Sequence, residues 1–300
     1  MDTFIFDKYG YRVEKEIVKE FELDNWVFKL EANQKNEQEL IELNNFIISV
    51  DESLFKRGVR IIPSRDNRLN VESEYGLLSL VAVNKFNVSL NDLLFMHRQY
   101  SSFNRINYTS LTTIKELWIN KVDNIENKIL SALKIDNFLF EKINSLIIYT
   151  LGLGENAIGY IQDIILDYGD KIEEVTLSHK RFIKFDSYEL LNPFNLIVDS
   201  PMRDIADLYN INIINKENLE YVLKSYNLST KSASLLFARI LFPSFLFDLL
   251  EEQYVTRGDI RKELLDYFNN LEVKLEKIKY IHRYLVDRYG IRPLNWLLLE

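Results

Sequence analysis

The sequence predicts an α+β chain of two unequal lobes, a small strand-rich lobe over residues 1–84 and a large helical lobe over residues 85–300. Three observations carry this. Apolar runs of strand length crowd the first 84 residues, and runs with helical spacing fill the chain from about Ser89 onward. The composition, 47% hydrophobic and 13% aromatic with only 9 Gly and 5 Pro in 300 residues, belongs to a packed protein rather than a disordered or fibrous one. A chain of this length buries a sizeable core.

In the small lobe, "NWVFKLE" (25–31) and "GLLSLVAV" (76–83) are short apolar runs of strand type, and "GVRIIPS" (58–64) is a third. "SRDNRL" (64–69) has the residues of a turn. Within "NEQELIELNNFI" (36–47), Leu40, Leu43, Phe46 and Ile47 recur at helical spacing. Strand pattern gives way to helix in "VNKFNVS" (83–89), the expected hinge.

The large lobe opens on Ser89, with Asp92 three residues on, the spacing of a capping box. Helices are expected at 112–133, 137–149, 154–167, 217–225 and 230–254, with 175–199 irregular and holding short strands. The longest apolar stretch, "SASLLFARILFPSFLFDLL" (232–250), is interrupted by Arg239, Pro243 and Asp248. A spanning helix needs roughly 20 nearly unbroken apolar residues, so this reads as a buried helix kinked at the proline, with no membrane span. From Asp259 to Tyr289 a single last helix is expected, stopped by Gly290 and Pro293.

Net charge is −8, so the chain as a whole is repelled by phosphate backbones and anionic membranes, and no nucleic-acid partner is expected. The absence of cysteine removes disulfides, thiolate catalysis and sulfur-ligated metals, and fits a reducing cytoplasm. His97, His179 and His282 lie too far apart for a sequence-local zinc motif. The N-terminus has acids where a secretory signal carries its positive region, so export by that route is not expected.

A small strand lobe, a short hinge and a larger helical lobe resemble the protein-kinase-like fold, which includes the aminoglycoside phosphotransferases. That chemistry needs a lysine on the nucleotide phosphates, a helix glutamate steadying it, an acid taking the acceptor's proton, and Asn and Asp ligands for Mg²⁺. Lys29, on a strand, and Glu39, on the next helix, fit the first pair as nucleotide-binding residues, although a surface lysine and a solvated glutamate read equally well. A glycine-rich phosphate loop is absent, since "KYGYRV" (8–13) has one glycine. Where the phosphotransferases have His, any residue, Asp, this chain has His179, Lys180, Arg181, with Asp186 five residues later. Arginine stays protonated and cannot serve as base, which leaves no expected catalytic residue and Asp186 as the backup base. Asp199 ends the apolar run "NLIVD" as a metal-binding acid would, with Asn195 as a second candidate ligand. By the same resemblance Asp204, with Arg203 beside it, is a structural acid that ties down the catalytic-loop backbone. His179 on its own is more often a satisfied core histidine than a catalyst.

The segments "YTLGLGENAIGYIQDIILD" (149–167), "SHKRF" (178–182), "NPFNLIVDSPMRDIADLY" (192–209) and "LSTKSASLLFARILFPSFLFDLLEEQY" (228–254) resemble the CotS and YutH group of spore-coat-associated kinase-like proteins of endospore-forming bacteria. The YutH type is the closer, because it too carries His, any residue, Arg. The likeness is strongest over 149–254 and thin before 110. It implies synthesis in the mother-cell cytoplasm and a role in the spore coat, and the composition, rich in Asn, Ile, Lys and Tyr, suits a low-GC Firmicute. The leading expectation is a noncatalytic kinase-fold protein, a pseudokinase, that binds protein partners in coat assembly. The alternative is an ATP-dependent phosphotransferase acting on a small hydroxyl or amino compound through an unconventional base. ATP and Mg²⁺ are the cofactors such an enzyme would use.

Overall fold

The computed structural model describes residues 2–12, 19–74, 76–101, 110–129, 137–256 and 259–298. It divides into two compact units, residues 1–103 with 176–198, and residues 104–175 with 199–300. The strand-bearing unit therefore carries, beyond residue 84, the next helix and the segment 176–198.

The first unit is built on an antiparallel sheet. β1 (Glu20–Leu23), β2 (Trp26–Ala32), β3 (Val59–Ile62), β4 (Val71–Ser73) and β5 (Gly76–Asn84) run in the order β1-β2-β5-β3, and β4 also pairs with β5. Central β5 is buried along most of its length, which accounts for its near-continuous apolar run. Side chains alternate across a strand. Phe28 and Leu30 of β2 thus join Phe21, Ile62, Leu78 and Leu80 in a core cluster, together with Ile5 and Tyr9 of α1 (Asp2–Tyr9). Phe21 and Phe28 stack with ring centres 4.8 Å apart. Val27, Lys29 and Glu31 take the opposite face of β2. α1 was not placed by the sequence reading, and the short strands β1 and β4 have no apolar run of their own.

α2 (Glu37–Leu54) starts at Asn36, whose carboxamide oxygen accepts the Glu39 N–H (3.0 Å), while the Glu39 carboxylate accepts the Asn36 N–H (2.8 Å). This reciprocal pair is a capping box. α3 (Leu90–Gln99) begins likewise at Ser89, whose N–H donates to Asp92 (2.7 Å). The unit closes with the β6 (Thr176–His179) and β7 (Leu196–Asp199) pair, with α6 (Ser187–Leu191) between them. The irregular stretch expected at 175–199 is this arrangement.

The second unit is helical: α4 (Leu111–Asn124) continued by a π-helical turn (Ile125–Ile129), α5 (Asn137–Tyr168), α7 (Met202–Asn210), α8 (Leu219–Lys224), α9 (Thr230–Leu241), α10 (Ser244–Thr256), α11 (Arg261–Asn269), α12 (Leu271–Tyr289) and α13 (Asn295–Leu298). α9 is its core element, buried almost throughout and packed against α5, α7 and α12. Three expectations are corrected here. Helices expected at 137–149 and 154–167 are the single helix α5. Gly154 is there for close approach and not as a stop, since a Cβ would lie 3.0 Å from Phe247 and 3.1 Å from Val122. The helix expected at 230–254 parts at Pro243 into α9 and α10, bent by 43°. The long last helix breaks at Asn270, whose amide donates to the Asp266 carbonyl (2.7 Å) and so competes with the helical ladder. Residues 130–133, the end of another expected helix, lie outside the described residues. Among the described residues no single helix is long and apolar enough to cross a membrane.

His282 of α12 is fully buried, with its Nε2 accepting the Leu294 N–H (2.9 Å) and its ring 4.9 Å from Phe237. Burial, with Arg283 adding to it, pushes its pKa down to about 4. The unfolded chain binds this proton near the ordinary value, so the contribution is present above about pH 6.5 and is lost as pH falls towards 4. In denaturant titrations at pH 7 and pH 4, His282→Gln, which keeps an acceptor for Leu294, is expected to lose about 3 kcal/mol less than the parent.

Candidate functional site

Lys29 is where the strand pattern put it, on the face of β2 that turns away from the sheet core. The hairpin register sets Glu20 directly opposite it, and the Lys29 ammonium lies 3.1 Å from the Glu20 carboxylate. Glu189 of α6 approaches to 3.6 Å, and the ammonium sits 4.2 Å from the centre of the Tyr188 ring. Burial raises the Glu189 pKa, with Lys29 pulling the other way. Two residues along β2, Glu31 accepts hydrogen bonds from the Tyr188 hydroxyl and the Asn192 amide, both at 2.8 Å, and so ties α6 to the sheet. Glu39, expected to steady Lys29, spends its carboxylate at the start of α2 instead. Beside Lys29 opens a recess of about 480 Å³ lined by Glu20, Glu22, Val27, Lys85, Phe86 and Asp186, among others. Its lysines come already paired, Lys85 with Glu22 and Lys184 with Asp186 (2.8 Å).

The loop after β6 carries the degenerate motif. His179 is fully buried, its Nε2 is 3.0 Å from the Leu190 carbonyl, and its ring packs 4.2 Å from Phe182. That is a core histidine bonded to backbone. The Lys180 N–H donates to the Asn195 carbonyl (2.6 Å). The Asn195 side chain grips Arg181 in both directions, accepting its N–H (3.1 Å) and donating to its carbonyl (2.8 Å). Asn195 is thus committed to holding the loop. Asp186 caps α6 by accepting the Glu189 N–H (2.9 Å), and its bond to Lys184 raises the lysine's pKa. The Asp186 carboxylate is thus engaged by the α6 N-terminus and by Lys184.

Asp199 has no exposure to water. Its Oδ1 accepts the Ser200 N–H (2.7 Å) and Arg239 (3.1 Å), and its Oδ2 accepts Arg203 (2.9 Å) and Arg239 (2.9 Å). A carboxylate has about four lone-pair sites, and these contacts use them. Burial lowers the Arg239 pKa, and Asp199 opposes the shift. Arg203, one turn after Asp199, is here a direct partner of that acid, and Asp204 is fully buried in the first turn of α7. The fold class would supply Mg²⁺ to this acid, but two guanidinium groups already occupy it. Among the described residues no group of three or more His, Asp or Glu side chains is arranged to hold a metal.

Four important residues escaped the sequence reading. Glu20 faces Lys29 only through the hairpin register, and Glu189 only through the placement of α6. Glu31, two residues from Lys29 on the same strand, was legible from the period of 2. Arg239 was visible as an arginine inside an apolar stretch, a position that demands a buried acid as partner.

The profile of the family described as "Spore coat putative kinase YutH" matches residues 2–286. The endospore coat-associated protein YutH of Bacillus subtilis (strain 168) is 28% identical over 179 residues, 52% of this chain and 51% of that protein, so the match spans about half the relative's length. Among solved structures, spectinomycin phosphotransferase in complex with ADP and spectinomycin superposes with a TM-score of 0.54 at 11% identity, covering 93% of this chain and 97% of that one. Its AMP-bound complex gives 0.50 at 12% identity, covering 90% and 93%. The fold is that of these two-lobed phosphotransferases.

Removing one partner of a buried ion pair leaves the other charge uncompensated. Arg239→Met and Asp199→Ala are each expected to cost about 3–5 kcal/mol in urea unfolding. Lys184→Ala, which breaks a half-exposed pair, should cost under about 1 kcal/mol.

Proposed function

We propose, from the premise that this chain belongs to the YutH family of spore coat kinase-like proteins, that it keeps the kinase fold without transferring phosphate and serves as a protein-binding component of the spore coat. The observation that carries this reading is Asp199, whose four acceptor sites are taken by Arg203, Arg239 and the Ser200 N–H. A divalent cation there would have to displace two arginines and sit against their charge. Three further features support it. The sequence resemblance puts Arg181 where a base would stand, Lys29 is held by Glu20 and Glu189 rather than open to a phosphate, and Asp186 is spent as a helix cap. The coat-associated name of the Bacillus subtilis relative supports the location, with the mother-cell cytoplasm as the place of synthesis. The nucleotides in the spectinomycin phosphotransferase complexes make ATP the ligand to test first.

One observation favours the enzyme reading. Glu189 is largely buried, carries a raised pKa and stands beside Lys29, which are the properties of a general base. On that reading an ATP-dependent phosphotransferase would use Glu189 where the fold ordinarily has an aspartate.

A thermal-shift series with Mg-ATP, run beside an assay of phosphate release and transfer, separates the two. A ligand at 100 times its dissociation constant stabilises by about 2.7 kcal/mol. The noncatalytic reading expects no turnover, and any nucleotide shift to be indifferent to Mg²⁺. Steady turnover that Glu189→Gln abolishes would establish the enzyme instead.

A further inference from the structure

A second recess, of about 390 Å³, opens within the helical unit where α7 ends at Asn210 and α11 meets α12. That is within the size range of small-molecule sites. Phe245 and Tyr267 lie nearly parallel in its wall, ring centres 6.2 Å apart, and Phe245 is 53% exposed, so an apolar plate faces solvent. Lys274 holds its ammonium 4.4 Å from the centre of the Tyr267 ring, and among the described residues no carboxylate lies within ion-pair distance of it. One turn further, Lys277 donates to the Tyr209 carbonyl (2.8 Å) and to Asn212 Oδ1 (2.7 Å). Its ammonium also lies 4.9 Å from the centre of the Tyr209 ring, and of its three N–H donors one makes no hydrogen bond among the described residues. Burial lowers both lysine pKa values, that of Lys277 to about 8 with Lys274 adding to the effect. Glu263 and Asp266 of α11 also line the recess, and among the described residues neither has a cation paired to it.

We propose that this recess binds a small flat-ring anion, an aromatic carboxylate bearing an amino or hydroxyl donor at its far end. The ring lies against Phe245 and Tyr267, as aromatic pairs prefer. The carboxylate meets Lys274 and the spare N–H of Lys277, which relieves two partly desolvated like charges on one helix face. The far donor faces Glu263 or Asp266. Those two acids oppose a dianion or a phosphate, and the two lysines oppose a cationic ligand.

The probe is 4-aminobenzoate, titrated calorimetrically into the full chain, with 4-aminobenzamide and inorganic phosphate as controls. The expected result is binding of 4-aminobenzoate, with the uncharged amide and phosphate at least about tenfold weaker. Lys274→Met, which keeps the apolar stem, should weaken 4-aminobenzoate by about tenfold with the melting curve unchanged. No heat from 4-aminobenzoate at millimolar concentration overturns the proposal. So does equal binding of the amide or of phosphate, and so does unchanged affinity in a folded Lys274→Met. Should that variant fail to fold, the amide comparison on the unaltered chain decides the need for the charge by itself.

Discussion

Asp199 is a carboxylate shut away from water, and a charge so placed persists only where opposite charge and hydrogen bonds replace its hydration. Arg203 supplies one partner from the next turn of chain, and Arg239 supplies the other from the middle of α9. The pairing therefore joins the start of α7 to the most buried helix of its unit. It also explains how an arginine is tolerated within "SASLLFARILF". The arrangement is incomplete, since the Arg239 Nε–H is buried without an acceptor among the described residues. A buried ion pair is weak evidence for net stability, but breaking one is expensive. The cluster ties the start of α7 to α9, and its rupture is the costly event.

In the first unit the same logic operates at lower stakes. Glu20 is the more exposed of the two acids on Lys29, so water and salt screen that contact, while the less exposed Glu189 holds the ammonium under weaker screening. Glu31 fastens α6 to the sheet through Tyr188 and Asn192, which positions Glu189. Polar groups that an active phosphotransferase would leave open to its ligands are instead bound to one another. That is the arrangement on which the proposed noncatalytic reading rests.

Much of this was legible from local pattern. β2 and β5 announce themselves as strand-length apolar runs, and Ser89 with Asp92 marks a helix start because that signal spans only four residues. The strand position of Lys29 and the place of Asp199 at the end of an apolar strand were likewise legible. What was not legible depends on distant partners. The break expected between residues 149 and 154 is absent, and Gly154 answers instead to Phe247 and Val122, close in space and far in sequence. The capping role of Glu39 was written in the Asn36 to Glu39 spacing, which competes with the pattern of a lysine followed by a helix glutamate. Arg239 lies 40 residues from Asp199, and nothing local names the acid it serves.

The central proposal is that arginine occupies the place a metal would take at Asp199. Electron paramagnetic resonance of Mn²⁺ tests it most directly, because the free ion gives a sharp signal that binding broadens. With the non-hydrolysable analogue AMP-PNP present, adding the protein is predicted to leave the free Mn²⁺ signal at its protein-free level, and Asp199→Asn should change nothing. Loss of the free signal at micromolar protein, restored by Asp199→Asn, would contradict the account.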